Sequence, residues 1–85
     1  MDPNYEMNPQ VIGGLVRMMR KKDYPKQKDF AEACGLSASC VSAVENGQEL
    51  PTLSTLSVIC KTLDYRIPDF FSMVAFYARH NDLMM

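Results

Sequence analysis

Gln27-Lys28-Asp29-Phe30-Ala31-Glu32-Ala33-Cys34-Gly35-Leu36-Ser37-Ala38-Ser39-Cys40-Val41-Ser42-Ala43-Val44-Glu45-Asn46-Gly47 is the stretch on which the fold turns. Phe30, Ala31 and Cys34 share one face of a short helix from Gln27 to Cys34. Gly35 stops that helix in the manner of a left-handed C-terminal cap. Ser37 is a good N-cap for the next one, and Leu36 and Val41 occupy the two positions of a hydrophobic staple. The second helix of the pair then runs from Ala38 to Glu45 and ends near Asn46-Gly47. Two short helices joined by a three-residue turn with Gly have the spacing of a helix-turn-helix.

Working outward, Asn8-Pro9 predicts a helix start, an Asn cap followed by Pro at the first helical position. Ile12, Val16 and Met19 give that helix one apolar face, and Gly13 and Gly14 leave room for a close neighbour. Arg20 to Lys22 suits a helix C-terminus, and Pro25 forces an end at Tyr24. Downstream, Gln48 to Pro51 reads as a loop. Thr52 caps a fourth helix with Leu53, Leu56, Ile59, Cys60 and Leu63 as its apolar face. Asp64-Tyr65-Arg66 connects it to a fifth helix, expected from Pro68 to about Arg79. The fifth helix is apolar nearly all round, with Phe70, Phe71, Met73, Val74, Ala75, Phe76 and Tyr77. One side is expected to pack on the domain and the rest to meet a partner. The expected division is a lead over 1–8, a helix-turn-helix domain over 9–71, a C-terminal contact helix over 68–80 and a frayed tail over 81–85. No strand, repeat or low-complexity segment is expected, so the class is all-α.

Composition narrows the function. The 85 residues allow one small domain, whose modest core makes association with a second copy useful. No apolar run approaches a membrane span, and residues 1–7 lack the basic and apolar regions of a signal peptide, so the expected compartment is the cytoplasm. Cys34, Cys40 and Cys60 are odd in number, widely spaced and without a CxxC pair. They read as small packing residues rather than a disulfide framework or, with His80, a metal site. Cys40 sits in a first helical turn, where a thiol can be activated, but packing is the preferred reading. Met18, Met19 and Met73 read as core or dimer contacts. One His and ten scattered acids assemble no catalytic set, so no enzyme and no cofactor are expected. Net charge is −1, yet residues 17–28 carry Arg17, Arg20, Lys21, Lys22, Lys26 and Lys28 against Asp23 alone. That local +5 stripe, on an otherwise acidic chain, has the form of an electrostatic footprint for phosphate.

The residues Ile12-Gly13, Val16, Met19-Arg20, Gln27, Phe30-Ala31-Glu32, Gly35-Leu36-Ser37, Val41-Ser42, Val44-Glu45-Asn46-Gly47, Pro51, Leu56, Leu63 and Phe70-Phe71 resemble the phage repressor and Cro-like (Xre-type) helix-turn-helix family over about residues 11–71. The resemblance implies a compact five-helix repressor-like domain. It also implies a homodimer on a near-palindromic operator, with the third helix in the major groove. By position it implies phosphate contact at Gln27 and base contact at Ala38, Ser39 and Ala43, and Lys26 and Lys28 beside Gln27, with Ser37 at the head of the third helix, are expected to join the DNA-binding set. It implies backbone contact at Ser42 and Asn46, and an internal ion pair between Arg20 and Glu45. Three departures stand out. Lys26 replaces the usual side-chain cap, Asp64 replaces the usual Gly after the fourth helix, and the reading positions carry no Lys, Arg, Gln or Asn.

The expected function is therefore a sequence-specific DNA-binding transcriptional regulator, a repressor or dual regulator. It is expected to dimerise through Phe70, Phe71, Met73, Val74, Phe76 and Tyr77. The alternative is an antitoxin-type module whose C-terminal helix grips another protein. The few residues after the last helix favour the self-associating reading.

Overall fold

Side-chain oxygens start three of the helices. Asn8 Oδ1 accepts from the Gln10 amide at 2.8 Å, Ser37 Oγ from Cys40 at 3.0 Å and Thr52 Oγ1 from Thr55 at 3.1 Å. Each satisfies one of the amides that a first helical turn leaves without a partner. The structure, a computed structural model, describes residues 8–84, with side-chain environments described for residues 8–79. It contains α1 (Pro9–Asp23), α2 (Gln27–Cys34), α3 (Ala38–Glu45), α4 (Leu53–Thr62) and α5 (Ile67–Met84). The described residues form no strand, and the domain is all-α. None of these helices is long and apolar enough to cross a membrane.

The breaks follow from local chemistry. Tyr24, before Pro25, leaves the helical region with φ −132° and ψ 86°, as the proline favours, and its ring packs on Phe30 at 5.5 Å between centroids. α2 begins at Lys26 with no side-chain cap and ends on Gly35 at φ 72°. Asp64 takes φ 64° after α4, the left-handed conformation that glycine adopts without strain.

The core is one cluster. Ile12, Leu15, Val16 and Met19 of α1 meet Phe30, Ala31, Val41, Leu56, Ile59, Cys60 and Leu63 from the next three helices. α5 closes it with Phe70 and Val74, and Ala78 one turn further on is also buried. This corrects the expectation that Phe70 and Val74 serve a dimer contact. Both are sealed inside, at 0% and 1% exposure. A helix apolar all round does not show in its sequence which stripe faces inward, and packing on α1 and α4 selects the four-residue step Phe70, Val74, Ala78. Phe71, Met73 and Tyr77 stay half-buried, and Phe76 is 63% exposed.

Other boundaries shift. α5 starts one residue before Pro68 and continues to Met84, past the expected end near Arg79 and through most of the segment expected to fray. Nothing from Asn81 to Met84 is Gly or Pro, and Leu83 and Met84 favour helix. Residues 1–7 of the expected lead, Met85 and the surroundings of His80 lie outside the described residues. Leu53, expected on the buried face of α4, is 73% exposed, because the first turn of α4 projects beyond the core. Met19 is buried, whereas Met18 beside it is half exposed.

The pair Gly13-Gly14 sets how closely α1 is approached. A Cβ on Gly13 would collide with the Val44 carbonyl oxygen and lie 3.0 Å from that of Glu45. One on Gly14 would meet only the Tyr77 side chain, most closely its hydroxyl at 2.9 Å, the far end of that side chain. Gly13→Ala should therefore destabilise the domain by about 1–3 kcal/mol, despite the better helix propensity of Ala. Gly14→Ala should cost far less. Thermal melts of both variants check this, since 1 kcal/mol moves the midpoint by roughly 4–8 °C in a domain this size. Equal melting temperatures would show that α3 does not rest on Gly13.

Candidate nucleic-acid interface

α3 has two unlike faces. Val41, Val44 and Glu45 point inward and are buried. Ala38 and Ser39 are exposed in its first turn, Ser42 and Ala43 are half-buried in its second, and Asn46 is exposed just beyond. The outer surface is thus built of small side chains, Ala and Ser, and closed by Asn46. Lys26 and Lys28 stand exposed at the start of α2, with Gln27 half-buried between them. Ser37 holds the first turn of α3 by its cap bond.

Behind this face lies a buried charge pair. Arg20 donates from Nε to Glu45 Oε2 and from Nη2 to Oε1, both at 2.9 Å, a forked arrangement. Arg20 Nη1 donates to the carbonyls of Tyr24 at 3.0 Å and Pro25 at 2.8 Å, holding the α1–α2 turn. Gln27 Nε2 donates to Glu45 Oε1 at 3.0 Å. The amide for which the resemblance implies a phosphate partner is therefore tied to the scaffold by one of its two protons. No buried side-chain polar atom among the described residues lacks a partner. Burial pushes the Glu45 carboxyl up, but hydrogen bonds from Arg20 and Gln27, with the charges of Arg20 and Arg17, outweigh it. The net result is a pKa below the ordinary value of 4.5.

Sequence reasoning gave Arg17 no place of its own in the site. Its Nη2 donates to Asn46 Oδ1 at 3.4 Å, and its Nε lies 3.5 Å from Glu45 Oε1. Asn46 Nδ2 in turn donates to Ser42 Oγ at 3.2 Å. The available signal was its place three residues before Arg20, on the same side of α1 and inside the basic stripe. The cysteines stay in the background. Burial raises the thiols of Cys34 and Cys60, keeping them protonated and poor nucleophiles, and all three cysteines are free. Among the described residues, no three His, Cys, Asp or Glu side chains are grouped to hold a metal ion.

Residues 15–75 match the Cro/C1-type HTH DNA-binding domain, HTH standing for helix-turn-helix. The chain belongs to this family. The matched region reaches into α5, which accords with Phe70 and Val74 lying in the core. A relative by sequence is the "ImmF control region 10 kDa protein" of Bacillus phage phi105, 42% identical over 53 residues. Those residues are 62% of this chain and 59% of that protein, so the chain spans about 59% of the length of the curated relative it matches. No solved structure matches the chain.

The buried pair has a consequence for stability. Glu45→Ala leaves the Arg20 guanidinium buried without its carboxylate and should cost about 3–5 kcal/mol. The lowered pKa adds a pH dependence. Ionised Glu45 contributes stability that is fully present above about 4.5 and drains as pH falls through its lower folded-state value. Glu45→Gln removes that component, so the gap in stability between wild type and Glu45→Gln should narrow as pH falls below about 4.5. Urea unfolding at several pH values measures it, and a constant gap would mean the carboxylate is not held by charge.

Proposed function

We propose that this DNA-binding regulator acts as a homodimer on a near-palindromic operator, as a repressor or dual regulator, with α3 in the major groove. The observation that carries the reading is the outer face of α3. Ala38, Ser39, Ser42 and Asn46 are free of bulk, and the cations of Lys26 and Lys28 stand at the start of α2. In this class the helix before the reading helix crosses the sugar-phosphate backbone, which fits Lys26, Gln27 and Lys28 as phosphate contacts. The phi105 relative is named for a control region, which fits a regulatory role.

Two-fold pairing is supported by α5. Phe76 is 63% exposed, beside the half-buried Phe71, Met73 and Tyr77. These four replace the six residues first expected at the contact. One copy measures 36 × 23 × 22 Å, a size that lets two copies side by side present their reading helices about one turn of B-DNA, roughly 34 Å, apart. Phe76→Glu places a charge in that contact and should convert the dimer to monomer in light scattering at micromolar concentration. A wild-type monomer that still binds a palindrome tightly would exclude a preformed dimer and leave the α5 face to another partner.

Base reading follows from side-chain size. Ala touches only a thymine methyl, and Ser makes one hydrogen bond, so neither gives a bidentate contact. Specificity then rests on thymine methyls, bridging water and the deformability of the operator. Replacing a thymine opposite Ala38 or Ala43 by uracil should weaken binding by about fourfold, the contribution of one buried methyl. Changes in the central spacer should matter comparably. The site is first selected from random DNA with the purified protein. A substitution scan dominated by one or two G·C pairs, with methyls and spacer irrelevant, would show that a basic side chain outside α3 reads the operator.

A further inference from the structure

The hydrogen bonds at the end of α3 run in one direction. Arg17 donates to Asn46, and Asn46 donates to Ser42. Asn46 thereby commits its carbonyl oxygen to Arg17 and one N–H to Ser42, while its second N–H remains. Ser42 Oγ is used as an acceptor, so its own proton remains to be donated. Among the described residues neither proton has an acceptor. The guanidinium of Arg17, whose side chain is 46% exposed, keeps further N–H groups. The exposed edge of this cluster therefore offers donors.

Charge points the same way. Arg20 and Glu45 neutralise each other in the interior, with side chains 4% and 0% exposed. Arg17 is the surplus cation of the trio and the one that reaches the surface. It stands at the C-terminal end of α3, where the helix dipole is negative and would repel an anion unless a cation offsets it. A donor edge with one surplus positive charge suits a phosphate oxygen.

We propose that Arg17 is the cation of a DNA-backbone phosphate contact at the α1–α3 junction, where the family resemblance already places Ser42 and Asn46. The site rests on the reading that α3 enters the groove. Arg17 has two tasks there. It supplies the charge, and it orients the Asn46 amide so that nitrogen, not oxygen, faces the DNA. The Arg20–Glu45 pair behind it does not depend on Arg17 for its forked bonds, so the fold survives its removal.

The test measures the affinity of the full chain for its selected DNA site, and for unrelated duplex, across a range of salt concentrations. Arg17→Ala, Arg17→Lys and Lys26→Ala are compared with wild type, and melting temperatures are recorded. Arg17→Ala should weaken binding to both DNAs alike, on the order of tenfold, with an unchanged melting temperature. It should also shallow the slope of log affinity against log salt by about 0.9, as expected when one fewer phosphate is neutralised. Arg17→Lys should restore the slope but not the whole affinity, since a lysine keeps the charge and lacks the fork. If Lys26→Ala shallows the slope and Arg17→Ala does not, the Arg17 site is wrong and the groove reading stands. If neither variant changes the slope, or wild type binds no duplex, both are wrong. An affinity loss that only tracks a fall in melting temperature assigns Arg17 to the scaffold and overturns the proposal.

Discussion

The placement of every other element depends on how Arg20 is satisfied. Four of its N–H groups are used, two on the carboxylate at the end of α3 and two on the carbonyls of the α1–α2 turn. Gln27 then fastens the start of α2 to the same carboxylate. A buried ion pair contributes little net stability compared with an apolar filling of the same space. What it contributes here is register. Sliding α3 by one residue moves it about 1.5 Å along its axis and turns it by roughly 100°, which takes the Glu45 oxygens out of the fork. Only one position of α3 satisfies the donors from both other helices.

That position is reachable because residue 13 is glycine. The backbone of α3 at Val44 and Glu45 rests where a side chain on Gly13 would be. The cost of a glycine within α1, about 1 kcal/mol relative to alanine, is offset by the closeness it permits. Closeness also brings Arg17 and Arg20, three residues apart on α1, onto the end of α3 together.

Much of this was legible from the residues alone, for local reasons. Helix starts at Asn8, Ser37 and Thr52 announce themselves through cap chemistry, and the ends at Tyr24, Gly35 and Gly47 through backbone restriction, so the end of α2 and both boundaries of α3 need no tertiary information. α5 was less legible because its signal is apolarity on every side. Its sequence shows that something is buried but not which stripe, and Phe70 and Val74 went to the interior while Phe76 stayed out. Leu53 misled for the opposite reason. It fits the helical period of α4, but periodicity does not report where the neighbouring helices stop. Arg17 was hidden because a basic residue in a basic run looks like solvated charge until the distance to Asn46 is known.

The small outer face of α3 and the rigid clamp behind it are physically linked. On the proposed reading, Ala38 and Ser39 supply no long side chains able to swing toward a base from an imperfectly placed helix. A long arginine tolerates an ångström of misplacement, but a methyl group touching another methyl does not, because dispersion attraction falls by a quarter to a half over a gap of about 0.5–1 Å. A helix that reads with short side chains must therefore be positioned by something other than its own base contacts. Phosphate contacts fix the register of protein on duplex, and those proposed at the start of α2 would hold one end of the motif. The Arg20–Glu45 bonds carry that placement through the interior to the far end of α3. The sparse chemistry of the proposed reading face thus requires a scaffold whose polar bonds allow a single arrangement.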